Sequence, residues 1–339
     1  NTCIACNQAC LDHIFNGKLT SCLVNPRACH ETTFSITKAE FPKKVAVVGA
    51  GPAGMACATT AAERGHDVTL FDAADRIGGQ FNIAKQIPGK EDFNETLRYF
   101  GKRIDTTGVK LRLNTRAEAA ALKADGFDHV VLATGISPRK PAIPGIESDK
   151  VATYLDIIEG RKVAGKSVAI IGAGGIGFDV GEFLTHAHDE RSESERFNSE
   201  WGIDPTYASR GGLKPAVDEK APRKVYLLQR KESKVGDGLA KTTGWIRRTL
   251  LKKRGVTMIP GVSYERIDEA GLHITVGGEA KTLPVDTIVV CAGQESRREL
   301  KAPLEAAGIP VTLIGGADVA AELDAKRAID QGTRVAAAL

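Results

Sequence analysis

An α/β fold of two doubly wound units, the second inserted in the first and both preceded by a cysteine-rich segment, is predicted by three observations. Two glycine motifs, GAGPAG at 49–54 and GAGGIG at 172–177, each close a short apolar run and open a helical stretch. Both stretches run strand, glycine turn, helix, strand, as an internal duplication would. Five of the seven cysteines fall within the first 29 residues, ahead of both motifs. Short apolar strands alternating with helices through glycine turns are the pattern of Rossmann-like dinucleotide-binding domains.

The bulk numbers bound the function. A length of 339 residues suits about two domains of ordinary size. The chain is 42% hydrophobic and 26% charged, as in a soluble globular protein. A net charge of +4 is mild, and no Lys/Arg block or aromatic-basic stripe points to nucleic acid. No apolar run reaches the ~18 residues of a membrane span. Nor is there a charged n-region followed by an apolar h-region. An odd number of cysteines, most of them clustered, is a metal or redox arrangement rather than a disulfide framework. That implies a reducing, cytoplasmic setting. Asn1 runs straight into a cysteine motif, so the chain is expected to be the C-terminal part of something longer.

Residues 1–40 lack apolar periodicity and need a metal or a neighbouring surface to hold shape. Cys3, Cys6, Cys10 and Cys22 have the spacing C-x2-C-x3-C-x11-C. Three close thiolates and a distant fourth suit a 4Fe–4S cluster. Structural zinc usually pairs two C-x2-4-C knuckles, and one such pair is present here. Zinc and an unmetallated cluster are the alternatives. Cys29 is either an extra ligand or a free thiol.

The first dinucleotide-binding domain is expected over 41–155 and 292–339, with the second over 156–291. KVAVV at 44–48 is a strand. Gly49 makes the tight turn after it, Gly51 lets the backbone approach a pyrophosphate, and Gly54 lets helix and strand pack closely. Pro52 and Ala53 open a helix to about Arg64, where the missing proline N–H costs nothing. DVTLF at 67–71 is the next strand, and Asp72 after it can accept a hydrogen bond from an adenosine ribose hydroxyl. The alternative is a glycine-rich turn in an unrelated α/β fold.

Three companions favour FAD at this first site. DRIGGQ at 75–80, with Gly79 and Gln80, resembles the second glycine pair of flavoproteins with two dinucleotide domains. Ala133, Thr134 and Gly135 resemble their strand-end motif. Asp318, after Gly315 and Gly316, resembles the acid that holds the flavin ribitol. A final helix from near Asp324 could aim its N–H groups at the flavin pyrimidine edge.

SVAII at 167–171 starts the second unit. Its motif supplies Gly172, Gly174, Gly175 and Gly177, and a helix runs to about Leu184. A polar stretch from about His186 to Arg223 is too long for an ordinary connection and reads as an insertion or functional loop. KVYLL at 224–228 resumes the sheet. Arg230 and Lys231 then stand where an NAD-binding unit would show an acid. Two cations suit a 2′-phosphate, so NADPH is expected over NADH. The alternative is a pair of solvated surface charges beside Glu232. Residues 256–290 alternate as strands and hairpins do.

Cys57 and Cys291 stand alone in apolar contexts and read as core cysteines, so a thiol relay of the disulfide-reductase kind is not expected. His186 and His188 are the only histidines spaced like ligands, and such a pair is more often surface than site. Trp201 and Trp245 suit packing better than a nucleotide stack.

Several stretches resemble bacterial NADPH-dependent 2,4-dienoyl-CoA reductases over essentially the whole chain. They are the cysteine segment NTCIACNQACLDHIFNGKLTSCLVNPRACHE, GGQFNIAKQIPGK (78–90), VAIIGAGGIGFD (168–179), NSEWGID (198–204), KTTGWI (241–246) and LIGGADVAAELDAKRAIDQGTR (313–334). Trimethylamine dehydrogenase and old-yellow-enzyme fusions are more distant likenesses. The resemblance implies an FMN-bearing (β/α)8 barrel elsewhere, which holds the unsaturated acyl-CoA substrate of fatty acid β-oxidation and the catalytic residues. It implies electron flow from NADPH to FAD, to the 4Fe–4S cluster, to that FMN. It carries the cluster ligands onto Cys3, Cys6, Cys10 and Cys22, the FAD site onto Gly49, Gly51, Gly54, Asp72 and Asp318, and the NADPH site onto Gly172, Gly174, Gly177, Arg230 and Lys231. No residue of this chain is expected to be a dedicated acid or base. The other readings are a self-standing FAD/iron–sulfur subunit like the small subunit of glutamate synthase, and a cofactor-binding assembly module without turnover.

Overall fold

A computed structural model describes residues 1–187, 190–218, 220–321 and 324–339. The chain divides into two compact units. The first comprises Asn1–Arg139, Ala240–Thr242 and Gly293–Leu339, and the second Lys140–Leu239 and Thr243–Ala292.

In the first unit the strands Val311–Leu313, His129–Leu132, Lys44–Val48, Asp67–Phe71 and Lys110–Arg112 lie in that order, all parallel. Val45, Ala46 and Val47 of the central strand are fully buried, because helices cover both faces of a parallel sheet. One face carries the helices Pro52–Glu63, Phe93–Thr107 and Ala325–Ala338 over Val45, Val47, Leu70 and Val131. The other carries Ala119–Ala124 and Lys301–Ala306 over Ala46, Val48, Val130 and Leu132. The helix Ala325–Ala338 packs tightly on Pro52–Glu63 because position 332 is glycine. A Cβ there would meet the Ala53 carbonyl oxygen at 2.2 Å. The C-terminus of the chain thereby completes the layer begun by its first glycine motif.

The cysteine segment carries one short helix, Leu11–Phe15, and is otherwise turns and irregular backbone. It docks by burying Leu23 and Val24 in the core of the first unit, with Ile4, Cys6 and Cys22 packed at its margin.

His66 shows how such burial sets a pH dependence. The residue is buried, and its Nδ1 accepts the Lys43 N–H at 3.0 Å. Desolvation, and then the charges of Arg64 and Lys43, hold its pKa below the ordinary 6.5. His129 is lowered in the same way, by desolvation and then by Lys43. Both stay neutral in the fold while the unfolded chain takes up protons, so stability is full above the unfolded pKa and falls as pH drops through the folded one. The urea midpoint should therefore decline between about pH 7.5 and about pH 5.5, and His66→Asn should flatten that slope. An unchanged slope in the variant would assign the dependence elsewhere.

The second unit repeats the plan. Strands Val151–Thr153, Thr287–Val290, Ser167–Ile171, Lys224–Leu228 and Thr257–Ile259 lie in that order, all parallel. The antiparallel meander Val262–Asp268, Gly271–Val276, Glu279–Leu283 buries Val262, Ile267, Leu272 and Ile274 with Ala169, Ile171 and Leu228 of the parallel sheet. The strand Val151–Thr153 pairs with Thr287–Val290 within the second unit.

The polar stretch expected as an insertion or functional loop carries one α-helix and is otherwise mostly irregular among the described residues. Ser192 and Glu195 form a capping box that starts the helix Glu193–Trp201, and Gly202 ends it in the left-handed region. Glu200 on that helix is buried in a two-pronged pair with Arg254, at 3.1 and 3.2 Å. Asp204 accepts hydrogen bonds from Thr206 Oγ1 at 2.6 Å, the Ser209 N–H at 2.9 Å and the Thr206 N–H at 3.0 Å. Those bonds lower its pKa to about 2. His188, half of the expected histidine pair, lies outside the described residues; His186 is hydrogen-bonded to Arg196.

Candidate functional site

The first site is built around residues 49–54. Gly49 has φ +110°, and a Cβ on it would lie 2.3 Å from the Ala133 carbonyl oxygen. Gly54 is closed in the same sense, its would-be Cβ 1.8 Å from the Gly49 carbonyl oxygen. Gly51 is the contrary case: a Cβ there would meet nothing within 4 Å. The structure thus separates glycines that permit packing from one that faces open space. Gly51 is also the N-cap of the helix Pro52–Glu63, and no side chain caps it. Uncapped N–H groups beside open space suit an anion.

The other expected residues gather on this turn. Asp72 Oδ2 accepts the Ala50 N–H at 2.6 Å and Oδ1 accepts the Ala74 N–H at 2.8 Å. Each oxygen keeps acceptor capacity for a hydroxyl. The Gly78 N–H donates to the Ala50 carbonyl at 2.8 Å, and a Cβ on Gly79 would lie 3.0 Å from Gly51 Cα. Gln80 follows directly as the N-cap of the short helix Phe81–Ala84. Ala133 donates its N–H to Val48 at 2.8 Å, Thr134 Oγ1 donates to the Arg297 carbonyl, and Gly135 accepts the Arg297 N–H at 3.0 Å. Gly315 and Gly316 are buried, and a Cβ on Gly315 would lie 2.8 Å from the Ala53 methyl.

Asp318 introduces a residue that sequence reasoning missed. Gln331 donates its Nε2–H to Asp318 Oδ2 at 2.7 Å and accepts the Gly315 N–H at 2.7 Å. It fixes the carboxylate and the glycine turn together. No local signal marks it, since a glutamine within an amphipathic helix reads as surface. The final helix differs from expectation in one respect: the Asp324 carboxylate already accepts the Arg327 N–H at 2.7 Å, taking one first-turn donor.

The second site has the same design. Gly172, at φ +108°, closes on the Cys291 carbonyl oxygen, which a Cβ would approach to 2.5 Å. Gly177 closes on the Gly172 carbonyl oxygen at 1.9 Å, while Cβ atoms on Gly174 and Gly175 would meet nothing within 4 Å. Gly174 is the N-cap of the helix Gly175–Thr185, again with no side-chain cap. Arg230 and Lys231 are exposed just past the strand Lys224–Leu228. Neither side chain has a hydrogen-bond or ion-pair partner among the described residues. Burial raises the pKa of the Tyr264 hydroxyl, and the nearby charge of Arg230 opposes that rise.

The cysteines are free thiols, all seven of them. Cys6 has its pKa raised by burial and then, against a lowering backbone hydrogen bond at Gln8, by the proximity of Cys10, Cys22 and Cys3. The four thiols therefore share one neighbourhood. Among the described residues no three His, Cys, Asp or Glu side chains gather around a point fit for a single metal ion. Cys29 is exposed, at φ +63°. Burial pushes Cys57 up to about 12. Burial, and then Asp179, push Cys291 well above the ordinary thiol range. Thiols so hard to ionise are poor nucleophiles. Lys253 Nζ sits 4.9 Å over the Trp201 ring, a packing role. Among the described residues no helix is long and apolar enough to cross a membrane.

Comparison with known proteins agrees with this geometry. Residues 43–328 match the family model of the pyridine nucleotide-disulphide oxidoreductases. A metal reductase of Desulforamulus reducens is 32% identical over 327 residues, covering 93% of this chain and 47% of that protein. The solved structure of a 2-naphthoyl-CoA reductase in complex with 2-naphthoyl-CoA superposes with a TM-score of 0.83 at 30% identity, over 100% of this chain and 46% of that one. A histamine dehydrogenase from Rhizobium has the same fold, with a TM-score of 0.80 at 23% identity over 99% of this chain and 48% of its own. The chain thus spans about half the length of these relatives. With two glycine turns of one design and a family match across both, the chain belongs to the pyridine nucleotide-disulphide oxidoreductase family and is an oxidoreductase.

Proposed function

We propose that this chain is the NADPH-oxidising, electron-transfer half of an enzyme of the 2,4-dienoyl-CoA reductase kind. One observation carries the reading. The chain places two open, uncapped glycine turns and four neighbouring thiols. Such an inventory suits electron transfer rather than bond-making on a carbon substrate.

The residues fit the groups that the family implies. Gly49, Gly51, Pro52, Ala53 and Gly54 would seat the pyrophosphate of FAD. Asp72 would hold its ribose, Gly79 and Gln80 would close over the turn, and Asp318, set by Gln331, would meet the ribitol. Ala133, Thr134, Gly135 and Gly316 shape the floor. Gly172, Gly174, Gly175 and Gly177 would seat NADPH. Cys3, Cys6, Cys10 and Cys22 would hold 4Fe–4S. A single zinc would draw four sulfurs to ~2.3 Å from one point, whereas a 4Fe–4S cluster spreads four thiolates around a cube, which suits the C-x2-C-x3-C-x11-C spacing. Bound FAD supplies the conversion of a hydride pair into single electrons. The chain itself contributes positioning, and the buried, isolated Cys57 and Cys291 leave no thiol relay to compete. The acceptor would be FMN on a (β/α)8 barrel, through which an unsaturated acyl-CoA would be reduced.

The preference for NADPH rests on Arg230 and Lys231, whose unpaired, exposed cations suit a 2′-phosphate. Arg230→Ala and Lys231→Ala are each expected to raise the KM for NADPH by about tenfold, the scale of one charge-assisted hydrogen bond, and to leave NADH oxidation unchanged. Equal losses with both cofactors would mean that these charges do not read the phosphate. The reading as a whole is tested with the chain as it stands. It should oxidise NADPH with an artificial electron acceptor and should not reduce a dienoyl-CoA. Dienoyl-CoA turnover by this chain would overturn the division of labour. Glutamine-dependent activity on adding a glutamate synthase large subunit would favour the subunit reading instead.

A further inference from the structure

We propose that Thr242 is a positioning residue for Cys10, acting through the buried carboxylate of Asp12. The inference rests on reading the four cysteines as cluster ligands. It also gives a role to the KTTGWI stretch, which the two nucleotide sites leave unexplained.

The helix Leu11–Phe15 follows Cys10 directly and has five residues. A helix so short is not stable on its own. Cys10, its N-cap residue, makes no capping side-chain hydrogen bond. Apolar burial does not hold the helix either. Leu11, Ile14 and Phe15, at i, i+3 and i+4 on one face, are 43%, 57% and 63% exposed. The residue turned inward is Asp12, at 7% exposure. This inverts the usual amphipathic arrangement, in which the carboxylate would be out and the leucine in.

A buried carboxylate must be met by donors. Asp12 Oδ1 accepts the Thr242 N–H at 3.0 Å and the Thr242 hydroxyl at 2.9 Å. The neighbouring Lys241 Nζ donates to the Phe15 carbonyl at 3.2 Å, at the C-terminal end of the same helix. Two adjacent residues therefore tie both ends of the helix. Ala240–Thr242 belong to the first unit with the cysteine segment, although the residues on either side of them in sequence belong to the second.

The consequence differs among the ligands. Cys6 and Cys22 pack against the core of the first unit and are held by it. Cys10 is not part of that packing. Its backbone is tied forward, through the Ile14 N–H donating to its carbonyl at 3.2 Å, into the helix that Thr242 anchors. Loss of the anchor should free Cys10 while Cys6 and Cys22 stay in place.

The test compares Thr242→Val, which removes the hydroxyl but keeps the shape and the N–H, with Thr242→Ser, which keeps the hydroxyl. In the full chain, Thr242→Val should lose iron to a chelator about tenfold faster than the wild type, the scale of one hydrogen bond to a charged group. FAD content should be unchanged, and Thr242→Ser should restore the wild-type rate. Hydrogen exchange on the iron-free chain reads the tie without the cluster. Residues 9–16 should lose protection in Thr242→Val while residues 44–63 keep theirs. Wild-type iron retention and wild-type protection of residues 9–16 in Thr242→Val would overturn the proposal. Loss of FAD and of core protection together would reduce Thr242 to a general structural role and overturn it too. A wild-type chain that binds no iron, with the exchange difference intact, would instead defeat the cluster reading and leave the tie standing. Asp12→Ala, which removes the acceptor, covers the case in which Thr242→Val fails to fold, and should show the same localised exchange.

Discussion

Gly51→Val should bind FAD about a hundredfold more weakly than the wild type while its apoprotein unfolds at the same urea concentration, since about two decades is the scale of losing charge-assisted hydrogen bonds to one phosphate. The two halves of that result come from one geometry. Gly51 has φ −75°, which valine tolerates, and its would-be Cβ meets no protein atom within 4 Å. Replacing glycine at an N-cap by an apolar residue has only a small effect on the helix itself. The new side chain instead fills the space in front of the uncapped N–H groups of Pro52–Glu63. Gly54→Ala provides the contrast. Its Cβ would lie 1.8 Å from the Gly49 carbonyl oxygen, a backbone atom that cannot swing aside. That variant should lose stability first and FAD as a consequence. Equilibrium dialysis with FAD alongside urea unfolding of the apoprotein separates the two. Unimpaired FAD binding in Gly51→Val would show that the open space is not the pyrophosphate site.

Cys6→Ser should lose essentially all cluster iron and sulfide and keep its FAD. Burial raises the Cys6 pKa, and Cys10, Cys22 and Cys3 each add to that rise. Iron binding would stabilise the deprotonated thiolate that burial now disfavours. Cys29→Ser should leave iron unchanged, because Cys29 is exposed and stands outside the C-x2-C-x3-C-x11-C spacing. Artificial-acceptor reduction that draws electrons from the flavin should survive in Cys6→Ser. Iron retained in full by Cys6→Ser would remove the four-cysteine assignment, and iron lost in Cys29→Ser would widen it.

What the sequence made legible follows from where each element draws its stability. The central strands announce themselves because a parallel sheet buries both faces, so KVAVV and SVAII are unbroken apolar runs. The glycine turns are legible because close approach leaves glycine no substitute at 49, 54, 172 and 177. The helix Glu193–Trp201 was not expected because its composition is polar and its anchor, Glu200 on Arg254, lies 54 residues away. The edge strand Val151–Thr153, three residues long, is too short to show periodicity. At the sites, the residues that would face a ligand were legible by type and spacing. The residues that aim them were not. Gln331 behind Asp318 and Thr242 behind Asp12 both act across long sequence separations, in contexts whose local pattern says surface or loop.

The most direct test of the electron-transfer assignment is anaerobic mixing of the full chain, with FAD, iron and sulfide counted beforehand, against a limited amount of NADPH. The flavin absorbance and the electron paramagnetic resonance of rapidly frozen samples are followed together. Loss of the oxidised flavin band should be followed by an iron–sulfur signal, with Arg230→Ala slowing the first phase for NADPH alone. A flavin reduced to completion beside iron that stays silent, or a chain that carries FAD and no iron at all, would contradict it.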